Sequence, residues 1–523
     1  MTFVAPEIPW ALLAPMVMVL GAGVLGVLLE AVLPRRLRRG SQIGLALLAT
    51  AGAVVAVAYQ WPTVSGGGGQ SVLGGSLAID AAGLTLQGLV ALLGLLALLV
   101  LADRVPAGED AFAPSAAAVP GSEHEAAARR AGLAQTEVFP LVMFALGGMM
   151  LFPVAADLLT LFVALEVVSL PLYLLAGMAR RRRLLSQEAS LKYFLLSSFA
   201  SAFFLFGVAL LYGFAGSLRL SEITAAVATT TGLDPLLLAG AGLVLVGLLF
   251  KVGAVPFHSW TPDVYQGSPT PITGFMAACT KAAAFGAILR LVYVVLPPLA
   301  WDVLPALWGV AALTMVVGTL VAIVQTDVKR MLAYSSIAHV GFLLVGVVAL
   351  RQSGITAVLF YLLAYGVATV GAFAVVWLVR EVQPGGAVTG EATHLTQWTG
   401  LGRRHPVMAG AFTLFLLSFA GIPLTGGFIG KFAVFSAAIE GNLAWLAVVG
   451  VVASIAAVFF YVRLVVLMYF TDPTGTPGES TSVVPGGGFA VVAIGLAALA
   501  TVVLGVLPAP VLDAFASAAS FIP

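Results

Sequence analysis

Charge is what this sequence has least of. Of its 523 residues only 9% are Asp, Glu, Lys or Arg, while 61% are hydrophobic. Soluble domains carry about a quarter charged residues, and a soluble core this apolar would leave nothing polar to cover its surface. A bilayer is the solvent that suits such a composition. The net charge of +1 gives no electrostatic footprint for nucleic acid, so no nucleic-acid partner is expected. Cysteine is the next shortage: Cys279 stands alone. That excludes a disulfide framework and any cysteine-ligated iron–sulfur cluster within this chain. No GxxxxGK[ST] run is present, which excludes an ATP-driven pump. No GxGxxG follows a strand, and no helical histidine pair has haem or metal spacing. The chain is therefore expected to bind no cofactor and no metal of its own. The opening MTFVAPEIPW lacks a basic stretch, so no cleavable signal is expected.

What the sequence has in quantity is apolar stretches of about twenty residues, the length of a membrane span. They lie near 10–33, 42–60, 78–102, 138–154, 157–179, 188–214, 236–255, 272–297, 303–325, 331–350, 355–380, 407–440, 443–470 and 487–507. The fold class expected is an all-α polytopic membrane protein with about fourteen transmembrane helices. With the N-terminus outside, loops after odd-numbered spans hold sixteen Lys and Arg, from Arg35 to Arg404, and the opposite loops hold only Arg219 and Arg351. This bias follows the positive-inside rule and puts both termini on the outer side. Residues 61–77 read as a flexible Gly-rich connection, 103–136 as a charged surface loop, and 471–486 as a Gly/Pro/Thr-rich loop.

Six basic residues remain inside spans: Lys192, Lys251, Lys281, Arg290, Lys431 and Arg463. Only Lys329 among the five lysines falls in a loop on this count. Arginine stays protonated in proteins, whereas a desolvated lysine can fall towards neutral pH and exchange protons. At about 1.5 Å per residue, Lys281, Lys431 and Glu166 lie near mid-membrane, Lys251 somewhat past centre, and His339 about 12 Å into its span. A charge at that depth costs at least ~2.5–3.5 kcal/mol on insertion scales, so such residues point to an ion path. Two spans also break beside lysines. FKVGAVPFHSWTPDVYQGSPTP carries Lys251 before Pro256, and FAGIPLTGGFIGKF carries Gly421 and Pro423 before Lys431. Breaks at depth free backbone groups and usually line a cavity. They fall in spans seven and twelve, five apart, which suggests two inverted five-helix repeats, spans 4–8 and 9–13. The units expected are 1–136 (spans 1–3 and a cytoplasmic loop), 137–297 (first repeat), 298–470 (second repeat) and 471–523 (span 14).

Other readings stand beside the ion path. Glu166, Lys251 and Lys281 could form an ion-pair cluster that holds helices together. His339 is either a proton relay or an interhelical hydrogen-bond contact. His258, Trp260 and Asp263 either form a cytoplasmic proton entrance or cap a helix end. Lys192, near a span's start, either joins the relay or snorkels to the interface. Arg463 is expected to pair with a neighbour.

The runs DLLTLFVALEVVSLPLYLLAG, EASLKYFLLSS, GLLFKVGAVPFHSWTPDVYQGSPTPITGFMAACTKAAAFG, DVKRMLAYSSIAHVGFLL and GIPLTGGFIGKFAVF resemble the antiporter-like subunits of respiratory complex I, the N-type subunit of bacterial NADH:quinone oxidoreductase most closely. The resemblance covers spans five to twelve. It implies fourteen helices, a bacterial inner (plasma) membrane location, and a proton path through Glu166, Lys251, Lys281 and Lys431. It also implies partners among the membrane and peripheral-arm subunits, with FMN, iron–sulfur clusters and quinone in those partners. On this reading Glu166 pairs with Lys251; when the pair weakens, the proton passes to Lys281, His339 assists, and Lys431 releases it. A subunit of a multisubunit cation/proton antiporter and a purely structural membrane subunit are the alternatives.

Overall fold

Aspartate caps start several of the helices. Asp80, Asp157 and Asp327 each hold extended backbone and accept a hydrogen bond from a backbone N–H three residues on, which satisfies one of the orphan donors of a helix start. The structure, a computed structural model, describes residues 8–104, 110–114, 122–131, 133–382, 388–472, 480–484 and 486–522.

In chain order the elements are α1 (Trp10–Val32), α2 (Arg35–Thr63), a β1–β2 hairpin (Gln70–Val72, Leu77–Ile79), α3 (Ala81–Ala102), α4 (Glu123–Arg130), α5 (Val138–Leu151), α6 (Leu158–Ala176), α7 (Arg183–Ala215) and α8 (Leu220–Thr229). Then come α9 (Asp234–Val252), α10 (Trp260–Gly267), α11 (Thr270–Phe275) and α12 (Lys281–Arg290), the last two joined by a wide π turn over Met276–Thr280. The second half runs α13 (Ala300–Ile323), α14 (Val328–Val348), α15 (Gln352–Leu378), β3 (Val379–Val382), β4 (Val388–Glu391), α16 (Leu401–Arg404), α17 (Pro406–Ala420), α18 (Gly426–Glu440) and α19 (Ala444–Phe470). It ends with β5 (Ser480–Val483), α20 (Phe489–Val506) and α21 (Ala509–Ser517). Among the described residues, twelve helices are long and apolar enough to cross a membrane. The shorter Val138–Val154 and the broken pair α17/α18 bring the crossings to about fourteen, as expected.

The helices sort by burial. Thr270–Val295, α14 and α15 are 94% buried over their apolar windows and form the centre. On α2, α7 and α19, large apolar side chains such as Val55, Phe199 and Ile455 stand about two-thirds exposed, at 67%, 66% and 67%. Those faces fit contact with lipid tails or with apolar partner helices.

Both expected breaks are present and are built alike. At the end of α9, Gly253 (φ 79°) donates to the carbonyls of Leu249 and Phe250, and Ala254 N–H bonds Leu249 O at 2.9 Å. At the end of α17, Gly421 (φ 83°) donates to Leu417 and Ser418, and Ile422 N–H bonds Leu417 O at 3.0 Å. Each is a Schellman closure, in which glycine alone takes the left-handed backbone without strain.

Some expectations need correction. Residues 61–77 are not a flexible connection: α2 continues to Thr63, and β1 pairs antiparallel with β2, from Gln70 opposite Ile79 to Val72 opposite Leu77. Arg35–Arg39, taken as loop, occupy the first turns of α2. The helix placed at 188–214 starts at Arg183. A three-stranded sheet in the order β4–β3–β5, which sequence reading missed, covers the end of the bundle where the basic residues gather. The 103–136 loop contains α4, and parts of it lie outside the described residues.

Candidate proton-path residues

Three separate helices, α9, α12 and α18, supply the buried Lys251, Lys281 and Lys431. Lys251, 2% exposed, ends α9. Its Nζ donates to Ser169 Oγ of α6 at 2.7 Å and to the Tyr193 hydroxyl of α7 at 3.3 Å. Tyr193 stacks on Trp260, with centroids 4.7 Å apart, and Trp260 meets Tyr265 edge-on at 6.5 Å. Tyr265 in turn stands 5.8 Å from the Nζ of Lys281, the first residue of α12. Lys281 Nζ donates to the backbone oxygen of Ser336 at 3.0 Å and to its hydroxyl, and the Tyr365 hydroxyl donates to that same Ser336 oxygen at 2.7 Å.

The row continues through α14 and α15. The His339 ring lies 4.7 Å from Tyr365, and its two nitrogens reach the hydroxyls of Tyr361 at 2.6 Å and Tyr461 at 3.2 Å. Phe419 and Phe342 flank His339, and Phe342 lies 4.7 Å from the Nζ of Lys431. Lys431, on α18, donates across the second break to the carbonyls of Phe419 and Ala420 at 2.8 and 3.1 Å, and to Ser454 Oγ at 2.7 Å. Those carbonyls are the open end of α17, where the helix dipole favours a cation.

Hydroxyls, carbonyls and ring faces surround these three lysines; among the described residues no carboxylate pairs with Lys251, Lys281 or Lys431. A hydroxyl can either accept from an ammonium or donate to an amine. Either protonation state therefore keeps its hydrogen bonds, and no lone buried anion remains when the proton leaves. This arrangement suits proton exchange better than a structural ion-pair cluster does.

Glu166 is half-buried on α6, and its Oε1 accepts from Ser201 at 2.5 Å. The expected Glu166–Lys251 pair is not formed. Ser169, one turn further along α6, takes the lysine instead, and Glu166 acts on Lys251 only through space. Lys192 lies nine residues into α7, bridging Glu188 at 2.6 Å and Asp263 at 2.7 Å. Asp263 also takes Arg330 at 2.6 Å, so it is an ion-pair hub on α10 rather than a helix cap. His258 lies half-buried in the first break, two residues after the exposed Pro256 and two before Trp260; Pro423 follows Gly421 in the second break and is exposed. Arg463 donates to the Ile323 carbonyl at 3.2 Å, a backbone partner rather than a charged one.

Sequence reading also misjudged Lys329, which it counted among loop cations. Lys329 is 2% exposed in the first turn of α14, donating to Ser268 O at 2.7 Å, with Glu391 Oε2 3.7 Å away. Its neighbours Asp327 and Arg330 disguise it as loop, yet Ser268 and the β4 residue Glu391 lie against it. Burial pushes the Glu391 carboxyl up, but Lys329, Arg380 and Arg182 outweigh that and, with a bond from Thr270, hold it below the usual carboxylate range. The tyrosines of the row were missed as well. With only 11 Tyr in 523 residues, Tyr361 and Tyr365 one turn apart in an apolar span were a signal to follow.

Comparison with known proteins now bears on this site. Residues 155–457 match the family profile described as NADH:quinone oxidoreductase/Mrp antiporter, TM, which is more than half of the chain. The chain belongs to this family. It is 64% identical to NADH-quinone oxidoreductase subunit N of Beutenbergia cavernae, over 100% of each chain, and 54% identical to the subunit N of Rhodococcus opacus, over 99% of this chain and 97% of that one. Among solved structures it is similar to a chain of respiratory complex I from Thermus thermophilus with bound aureothin, at 35% identity and a TM-score of 0.76, covering 96% of this chain and 99% of that one. A chain of the Mrp complex from Dietzia shares the fold at 22% identity and a TM-score of 0.81, covering 98% and 97%. Within the family region lie Glu166, Lys251, Lys281, His339 and Lys431, together with Tyr193, Tyr265, Tyr361 and Tyr365; Tyr461 lies just beyond it.

Proposed function

We propose that this chain is the N-type proton-translocating membrane subunit of a bacterial NADH:quinone oxidoreductase. It moves protons through buried Lys, His and Glu residues, driven by redox chemistry in other subunits. The observation that carries this reading is the run of buried side chains Lys251, Tyr193, Trp260, Tyr265, Lys281, Tyr365 and His339, which leads past Phe342 to Lys431, with each lysine on neutral partners. The end rich in arginine faces the cytoplasm by the positive-inside rule, and both termini face outward across the inner membrane. Residues 137–297 and 298–470 act as two antiporter-like halves, each with one helix broken by a Schellman closure; 1–136 and 471–523 flank them. The partners are the other membrane and peripheral-arm subunits, which carry FMN, iron–sulfur clusters and the quinone site.

A rise in positive charge near Glu166 would draw on its field and weaken its hold on Lys251. The Lys251 proton then moves through water to Lys281 and past His339, and Lys431 releases it outward. Moving one charge against 100 mV requires ~2.3 kcal/mol, which partner redox chemistry supplies. The fold shared with the Mrp complex keeps a cation/proton antiporter as the second reading, but relatives above 50% identity carry the subunit N name. Lys251→Ala in the assembled complex tests the proposal. The expected result is normal co-purification of the partner subunits with most NADH-driven proton uptake into inside-out vesicles lost. Wild-type protons per NADH in that variant would refute the assignment.

A further inference from the structure

At the basic end of the bundle a cavity of about 370 Å³ opens over the starts of two central helices, the Thr270 end of α11 and the Val328 end of α14. Its arginines tie down its walls. Arg180 is bound to Glu125 at 2.5 Å, Arg181 to the Val388 carbonyl, and Arg182 to Thr393 Oγ1 at 2.6 Å. Arg380 lies over the Trp377 ring at 3.9 Å. The cavity floor is different. It holds Lys329, with a side chain 3% exposed, and Ser268, whose buried Oγ has no protein partner. A polar group that is buried and unpartnered calls for water. Glu391, which accepts from Thr270 at 2.6 Å, sets a negative charge 3.7 Å from the Lys329 Nζ, a local counter-charge in a lining that also carries four arginines.

The helix geometry connects this floor to the lysine row. Lys329 and Ser336 are seven residues apart on α14, hence on one face, two turns or about 10 Å along the axis. Ser336 is the residue that holds Lys281. On the other side, Gln266, Gly267 and Ser268 in the wall directly follow Tyr265, whose ring borders Lys281.

We infer that this cavity is a water-filled proton intake and that Lys329 is a proton-carrying residue feeding Lys281. This rests on the proton-pump reading above. In the step, a hydronium in the cavity gives its proton to the neutral Lys329 amine and leaves as water. Lys329 then releases one proton along water to the Ser336 hydroxyl, which passes its own proton to the Lys281 amine. Lys329 returns to neutral and is reloaded, so one proton moves from the cytoplasm to Lys281 per cycle.

The experiment uses the assembled complex in inside-out vesicles. Ser268→Cys is treated with a charged, membrane-impermeant methanethiosulfonate, and labelling is read on this chain by mass; the buried Cys279 of the wild-type chain sets the background. Rapid labelling from the cytoplasmic side, with at least a tenfold fall in NADH-driven proton uptake afterwards, is expected. Absent labelling, or labelled enzyme pumping at the unlabelled rate, overturns the intake. If Ser268→Cys fails to assemble, Val388→Cys in the cavity wall is read the same way. Lys329→Arg separates carriage from structure, since arginine keeps the charge but does not deprotonate. Assembled Lys329→Arg complex with proton uptake lost supports the role; wild-type uptake overturns it. Failure of the pump reading would show instead as absent uptake in the wild-type complex, and labelling would still report access to the cavity.

Discussion

At the scale of single residues, chemistry at depth is decided by what surrounds a charge more than by the charge itself. The cost of burying a lysine made Lys251, Lys281 and Lys431 readable in the sequence. Their partners were not readable, because Ser169, Ser336, Ser454 and the tyrosines are amphipathic residues that fit many settings. Lys329 was hidden for the opposite reason, since a basic residue beside Asp327 and Arg330 looks like any loop cation. Its counter-charge Glu391 gives a prediction of its own. With its carboxyl held below the usual range, Glu391 is ionised throughout pH 5 to 8. The sign follows from linkage: its pairing contributes stability above the ordinary carboxylate pKa and loses it only as acid brings the pH down through the lowered value. Glu391→Gln should therefore slow proton uptake several-fold, with the defect still present at pH 5.5, where the wild-type carboxylate remains ionised. A pH profile of uptake in which the defect vanishes near pH 5.5 would show that Glu391 itself titrates there.

At the scale of elements, the spans were legible because a bilayer demands about twenty apolar residues per crossing, and proline and glycine marked both breaks. The strands were not legible: β3, β4 and β5 are four residues each, and β5 reaches β3 from about a hundred residues further along the chain. The details of the second break depend on glycine for two separate reasons. At Gly421 the backbone is left-handed (φ 83°), and a side chain there costs about 1–2 kcal/mol before any contact is counted. At Gly427 the reason is space, since a Cβ would lie 1.9 Å from the Ser418 carbonyl oxygen of the preceding half-helix. Gly427→Ala must therefore push α18 away from α17, and Lys431, one turn further on, would lose its bonds to Phe419 and Ala420. The expected outcome is a lower yield of assembled complex, with proton uptake reduced more than NADH oxidation in what remains. Gly421→Ala should show a milder loss of both, measured side by side in the same vesicles.

At the scale of the whole molecule, distant parts of the chain are fastened at the end opposite the arginine-rich cavity. Arg290, at the far end of α12, pairs with Asp80 at 2.9 Å, and the two side chains are only 2% and 3% exposed. Its Nε donates to the Pro153 carbonyl at 2.9 Å, Asp80 accepts from the Ile522 backbone N–H at 2.9 Å, and the guanidinium lies 4.9 Å from the Phe521 ring. One buried ion pair thus joins the β1–β2 hairpin, the helix that carries Lys281, and the segment after α21. The sequence marked Arg290 as a charge inside a span, but its partners lie 210 and 232 residues away, beyond the reach of spacing arguments. Removing one member of such a pair leaves an uncompensated buried charge and costs about 3–5 kcal/mol, whereas replacing both with apolar residues of similar volume is often neutral. Arg290→Met alone should lower the thermal midpoint of the purified complex by several degrees and expose residues 519–522 to protease. Adding Asp80→Asn should recover much of the midpoint, because the orphaned charge is gone while the side-chain oxygen still caps α3 at the Gly83 N–H. Proton uptake per NADH should remain near wild type in both at low temperature, since Arg290 lies off the lysine row. A double variant no more stable than the single one would mean that the clamp draws its strength from the carbonyls and the Phe521 ring instead of from the ion pair.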